Sequence, residues 1–127
     1  MKIVWNNYEL TNLRNEVISN LKKLGYEPAG YVDKNIKING RYKRAVAKCG
    51  YKYINGKRYF TIEFAKFACM KGTNEAIIST MYHEIIHTLP ECFNHGPNFK
   101  KVANEVFMNY GVNVEVEMTE KRLFGVA

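Results

Sequence analysis

Within "TMYHEIIHTLPECFNHGPNF" (residues 80–99) lie all three histidines of the chain, His83, His87 and His95, and Glu84 follows the first of them. Residues four apart on a helix project from one face, so the His83 and His87 imidazoles can share one Zn²⁺ at about 2.0–2.1 Å. Glu84, in the His-Glu-x-x-His order, is aimed at the water that such a metal activates. There it can act as general base while the metal lowers the water's pKa to roughly 7. Two imidazoles underfill a zinc site, so a third protein ligand is needed, with the fourth position left for water and substrate. The following loop offers Glu91, Cys92 and His95. His95 is the favoured ligand. The chain can double back after Pro90, Gly96 relieves crowding beside the metal, and Pro97 opens the next helix. A third neutral imidazole also keeps the site's 2+ charge, which a thiolate from Cys92, the second choice, would weaken.

Holding these groups requires rigid elements on either side. Leu10, Leu13, Val17, Leu21 and Leu24 make a helical stripe from Asn7 to Leu24, with Gly25 as its stop. Two Asn-Gly pairs, Asn39-Gly40 and Asn55-Gly56, predict tight hairpin turns and hence a three-stranded antiparallel meander near 34–38, 41–54 and 57–65. A two-residue turn at 55–56 sets Tyr53 against Arg58, Tyr51 against Phe60, Cys49 against Ile62 and Ala47 against Phe64 on one largely apolar face. Lys52 and Tyr59, and Lys48 and Glu63, then fall on the other. In this register Cys49 is a small core residue rather than a ligand.

Thr73 can cap the histidine helix, which runs to about Leu89 before Pro90 stops it. Pro97 begins an amphipathic helix carrying Phe99, Val102, Ala103, Val106, Phe107 and Tyr110 up to Gly111. The tail "VNVEVE" alternates with period two and suits an edge strand or an ordered extension.

A chain of 127 residues with 46% hydrophobic content supports one domain, residues 1–127. No apolar run is long enough for a membrane span and no secretory signal opens the chain, so a soluble, cytoplasmic protein is expected. Three cysteines without a CxxC pair encode neither a disulfide framework nor a zinc ribbon. Residues 34–71 hold eleven Lys or Arg against one acid, Glu63. That basic block, interleaved with tyrosines, makes Arg44, Lys48, Lys52 and Lys57 candidate contacts to single-stranded DNA, although lysines on a solvated sheet face read equally well as solubilising charge.

The stretch "HEIIHTLPECFNHGPNFKKVA" resembles the SprT-like metallopeptidases, the family of the Spartan DNA–protein crosslink protease, with an HExxH helix followed by a third histidine in an "HGxxF" context. Upstream, "RAVAKCGYKYINGKRYFTIEFA" is similar to the family's basic strand and the strand after it, and "NEAIISTMYHEIIH" to its active-site helix, so the resemblance spans about residues 41–107. It implies a single α+β, zincin-like domain with zinc on His83, His87 and His95, Glu84 as acid/base, and protein or peptide substrates, including proteins associated with DNA. The seven-residue spacer "TLPECFN" is shorter than in many relatives, and the four-cysteine zinc ribbon of some members has no counterpart in this sequence.

Two other functions fit parts of the pattern. A nucleic-acid-binding module with structural zinc would close the site with Cys92 or Glu91 as a fourth ligand. A histidine-rich nuclease would have no need of Glu84 between two ligands. For peptide hydrolysis an oxyanion partner is also required, a role that a tyrosine or lysine near the cleft would fill.

Overall fold

The computed structural model describes residues 1–125. Along the chain run α1 (Asn7–Lys23), β1 (Tyr31–Val32), β2 (Lys37–Asn39), β3 (Ala47–Ile54), β4 (Lys57–Ala65), α2 (Lys66–Lys71), α3 (Asn74–Ile86), α4 (Pro97–Tyr110) and α5 (Glu120–Phe124), an α+β arrangement. Neither α2 nor α5 was expected from the sequence pattern. No helix among the described residues is long and apolar enough to cross a membrane.

The turn between β3 and β4 follows from its residue types. Asn55 (φ 51°) and Gly56 (φ 76°) both adopt left-handed backbone, the geometry that matches the twist of a two-residue hairpin. The antiparallel register pairs Tyr53 with Arg58, Tyr51 with Phe60, Cys49 with Ile62 and Ala47 with Phe64. On β4 this face is buried through Phe60, Ile62 and Phe64, each contributing roughly 1.5–3 kcal/mol. On β3 it is not buried throughout. Tyr51 and Tyr53 are 53% and 62% exposed, so the core face gives out toward the turn.

The meander expected at Asn39-Gly40 does not form. β4 is the central strand, with β3 antiparallel on one edge and β1 and β2 in succession on the other, both parallel to it. β2 still runs opposite to β3, as a meander requires, but β4 is inserted between them. Residues 40–46 must therefore cross two strand spacings, about 9–10 Å, which a two-residue turn cannot span. Asn39 serves a different local turn, its side-chain oxygen accepting from the Arg41 N–H at 2.8 Å. Between Tyr31↔Tyr59 and Lys37↔Glu63 the β1–β2 side advances six residues (31 to 37) and β4 four (59 to 63), so two extra residues bulge out and Ile36 is buried among the core residues.

The helices close over this sheet. Asn6 caps α1, its side chain accepting from the Glu9 N–H, and Leu10, Leu13, Val17 and Leu21 enter the core. Arg14 ties α1 to the parallel edge by donating to the carbonyls of Val32 (2.8 Å) and Asp33 (3.2 Å). Thr73 caps α3 by accepting from the Ala76 N–H. α3 is the most enclosed helix, with Ile77, Met81, Ile85 and Ile86 fully buried, and it ends at Ile86, three residues before the expected limit. Pro97 stands in the first turn of α4, which stops at a left-handed Gly111. Of the expected α4 stripe, Phe99, Val102 and Val106 are buried while Phe107 faces solvent. Residues 112–116 form no strand. They are an ordered extension laid against α3, where the Ser79 hydroxyl donates to the Asn113 carbonyl (2.8 Å) and accepts from the Glu115 N–H (3.0 Å).

Candidate metal centre

His83 lies in the last turn of α3 and His87 is the residue that caps its C-terminal end, so the i, i+4 spacing puts both rings on one side. The chain then turns through Pro90 and Glu91, which takes a positive φ of 61°, and returns with His95. The three Nε2 atoms converge on one point: His83 to His87 is 3.1 Å, His87 to His95 3.0 Å and His95 to His83 3.1 Å. Among the described residues this is the one cluster of histidine, cysteine or carboxylate groups arranged to hold a metal ion, and neither Cys92 nor Glu91 belongs to it. Cys92 is a buried free thiol.

Two of the rings are oriented by backbone carbonyls. The Nδ1 of His83 lies 2.7 Å from the Glu115 carbonyl oxygen and that of His87 lies 3.0 Å from the Cys92 carbonyl oxygen. A carbonyl only accepts, so each Nδ1 carries the proton and each Nε2 presents a lone pair. Burial reinforces the neutral forms, holding His83 down to about 4 and lowering His87 as well. Lone pairs facing each other at 3.1 Å repel unless a cation lies between them. An N···N spacing of 3.0–3.1 Å is also close to the edges of about 3.3–3.4 Å in a tetrahedral site with bonds of about 2.0–2.1 Å. The cluster therefore fits a small N-preferring cation.

Phe99 forms the floor beneath it. Its ring is fully buried, with its centroid 5.0–5.1 Å from the centroids of all three imidazoles. Gly96 precedes α4 as its cap. A Cβ would come within 2.8 Å of the Asn94 side-chain oxygen, which accepts the Gly96 N–H.

Glu84, 7% exposed, lies beside His83 in a cleft of about 290 Å³. Burial pushes its carboxyl up to about 7, and a cation among the histidines would draw it back down. The cleft wall is built from residues 44–47 leading into β3, Thr80 of α3, and the extension through Glu117 and Met118. Arg44 is its one cationic lining residue among the described residues.

Of the four candidate nucleic-acid contacts, Lys48, Lys52 and Lys57 share the outward face of the β3–β4 hairpin and Arg44 is set apart from them. Arg44 joins the cleft, whereas Lys48 and Lys52 lie over the rings of Tyr42 (4.9 Å) and Tyr59 (5.9 Å) on the outward sheet face, and Lys57 is exposed at the turn. Sequence reasoning missed Ser79 and the Glu115 carbonyl, because a backbone acceptor has no residue signature. It also missed Arg58, which stands out only once three aromatic rings are seen around it.

A model of the SprT-like family matches residues 15–120. No curated protein matches the chain.

Proposed function

The chain belongs to the SprT-like family, and from that premise we propose that it is a zinc-dependent metallopeptidase, with His83, His87 and His95 as the metal ligands and Glu84 as general base and general acid. The observation that carries this reading is the set of converging Nε2 lone pairs, two of them fixed by carbonyls, beside a buried carboxylate. When bound, zinc supplies a Lewis acid that polarises a carbonyl and lowers the pKa of water in the site. Glu84 takes a proton from the attacking water as the water oxygen bonds to the carbonyl carbon, then delivers it to the amine nitrogen as the C–N bond breaks. Arg44 is the cation available at the cleft to a developing oxyanion.

A polypeptide substrate suits the architecture. The outer edge of β3 pairs with no strand among the described residues, and the approach to β3 forms the cleft wall next to Glu84, so an extended peptide can add along that edge. We include proteins associated with DNA in the substrate class because of the basic outward face of β3 and β4. The decisive assay follows cleavage of an unfolded protein by the zinc-loaded chain, beside Glu84→Gln and with or without single-stranded DNA. Cleavage should be abolished by Glu84→Gln and by chelation, and restored by zinc. Parent-like cleavage by Glu84→Gln would sink the mechanism. Stimulation by DNA that disappears when Lys48, Lys52 and Lys57 are all changed to Ser would support the DNA-associated substrates, and lack of stimulation would remove them.

A further inference from the structure

Past the cleft, the inward face of β3 continues from Ala47 through Cys49 to Tyr51 and Tyr53, about 13 Å separating Ala47 from Tyr51. There it meets the loop that delivers His95. Phe93 of that loop stacks on the buried Phe60 at 6.5 Å, lies 6.5 Å from the Tyr51 ring, and is 43% exposed. The Arg58 guanidinium sits among these rings, 4.3 Å from the centroid of Phe93, 5.1 Å from Tyr51 and 5.7 Å from Tyr53. Its Nε is buried without a hydrogen-bond partner, and among the described residues its guanidinium forms no salt bridge. Three rings stabilise the cation by their faces but accept none of its in-plane hydrogen bonds. A charge so placed, held by rings and paired with no acid among the described residues, is complementary to an anion arriving from outside.

We propose that Arg58, framed by Tyr51, Tyr53 and Phe93, is a specificity-determining subsite that receives an acidic side chain of the peptide substrate. A peptide is favoured over other anions because Phe93 belongs to the same loop as His95 and Cys92, so the subsite is built into the rim of the metal centre. This inference rests on the peptidase reading.

The test measures binding rather than turnover. Zinc-loaded Glu84→Gln protein is titrated, by fluorescence anisotropy, with pairs of labelled peptides that differ only by Glu or Gln at each position in turn. One position should show about tenfold tighter binding of the Glu peptide, falling below twofold in the added Arg58→Gln background and surviving in part in Arg58→Lys, which keeps the charge. Circular dichroism and zinc content establish that each variant is folded. Equal binding of Glu and Gln peptides at every position, or a preference unchanged by Arg58→Gln, overturns the subsite. So does Arg58-dependent binding of a single-stranded oligonucleotide in place of the peptides. If the unmutated protein cleaves nothing while the Arg58-dependent preference persists, the peptidase reading fails and the subsite stands as a peptide-binding site.

Discussion

The three imidazoles converge through their Nε2 atoms, and individual substitutions separate the parts of the site. Glu84→Gln keeps the side chain's size and leaves the three histidines untouched, so zinc content should stay near one per chain while turnover falls about 10²–10⁴-fold. Elemental analysis alongside the cleavage assay checks this, and loss of zinc in the variant would give Glu84 a structural role instead. His95→Ala should lose most of the zinc and Cys92→Ser should retain it, because the Cys92 thiol lies outside the cluster and only its carbonyl orients His87. The opposite pattern would make Cys92 the ligand. Phe99→Ala opens a cavity under all three rings and should cost about 3–5 kcal/mol in denaturant unfolding. A cost below 1 kcal/mol would mean that the floor collapses without consequence.

The extension after α4 acts as a brace for α3. Ser79 is buried and holds both Asn113 and Glu115, and the Glu115 carbonyl in turn fixes the tautomer of His83. Ser79→Ala leaves a carbonyl and an N–H without their partner, which should lower stability by about 1–3 kcal/mol. Because the brace also orients a ligand, zinc affinity should fall about tenfold or more in a competition titration against a chelating dye. Unchanged affinity with lowered stability would show that the extension supports α3 without tuning the metal. Thr73 acts on the same helix from its other end. Thr73→Ala removes the cap on Ala76 and should cost about 1 kcal/mol with no change in zinc affinity, because the cap is remote from the histidines.

At the scale of the whole molecule, the apolar core is continuous from α1 through the sheet to α3 and α4, and none of the three histidines belongs to it. Chelation should therefore leave the far-ultraviolet circular dichroism spectrum intact while lowering the unfolding temperature. Zinc at a hundredfold excess over its Kd adds only about 2.7 kcal/mol. Complete loss of helical signal on chelation would instead mark the site as structural, as in the four-ligand nucleic-acid module. The bonds from Asn20 to Tyr82 and from Tyr110 to Asn20 tie α1 to α3 and α4, and Tyr26, just past α1, adds a bond to Glu105 of α4, so the histidines rest on a braced base.

What could be read from the residues alone was local. The four-residue spacing of His83 and His87 places both rings on one helical face whatever surrounds it. Asn55-Gly56 specifies its own left-handed turn and with it the whole β3–β4 register. Asn39-Gly40 has the same composition and a different outcome, because its neighbour in space is set by which strand occupies the edge of β4, a competition among distant segments that no dipeptide encodes. The same holds for "VNVEVE", whose alternation suits an edge strand but whose backbone groups are taken by Ser79 and His83 instead. Arg58 reads in sequence as one more charge in a basic block. The hairpin register sets Tyr53 against it, but only packing brings Phe93, 35 positions away, over its guanidinium and leaves it without an acid among the described residues.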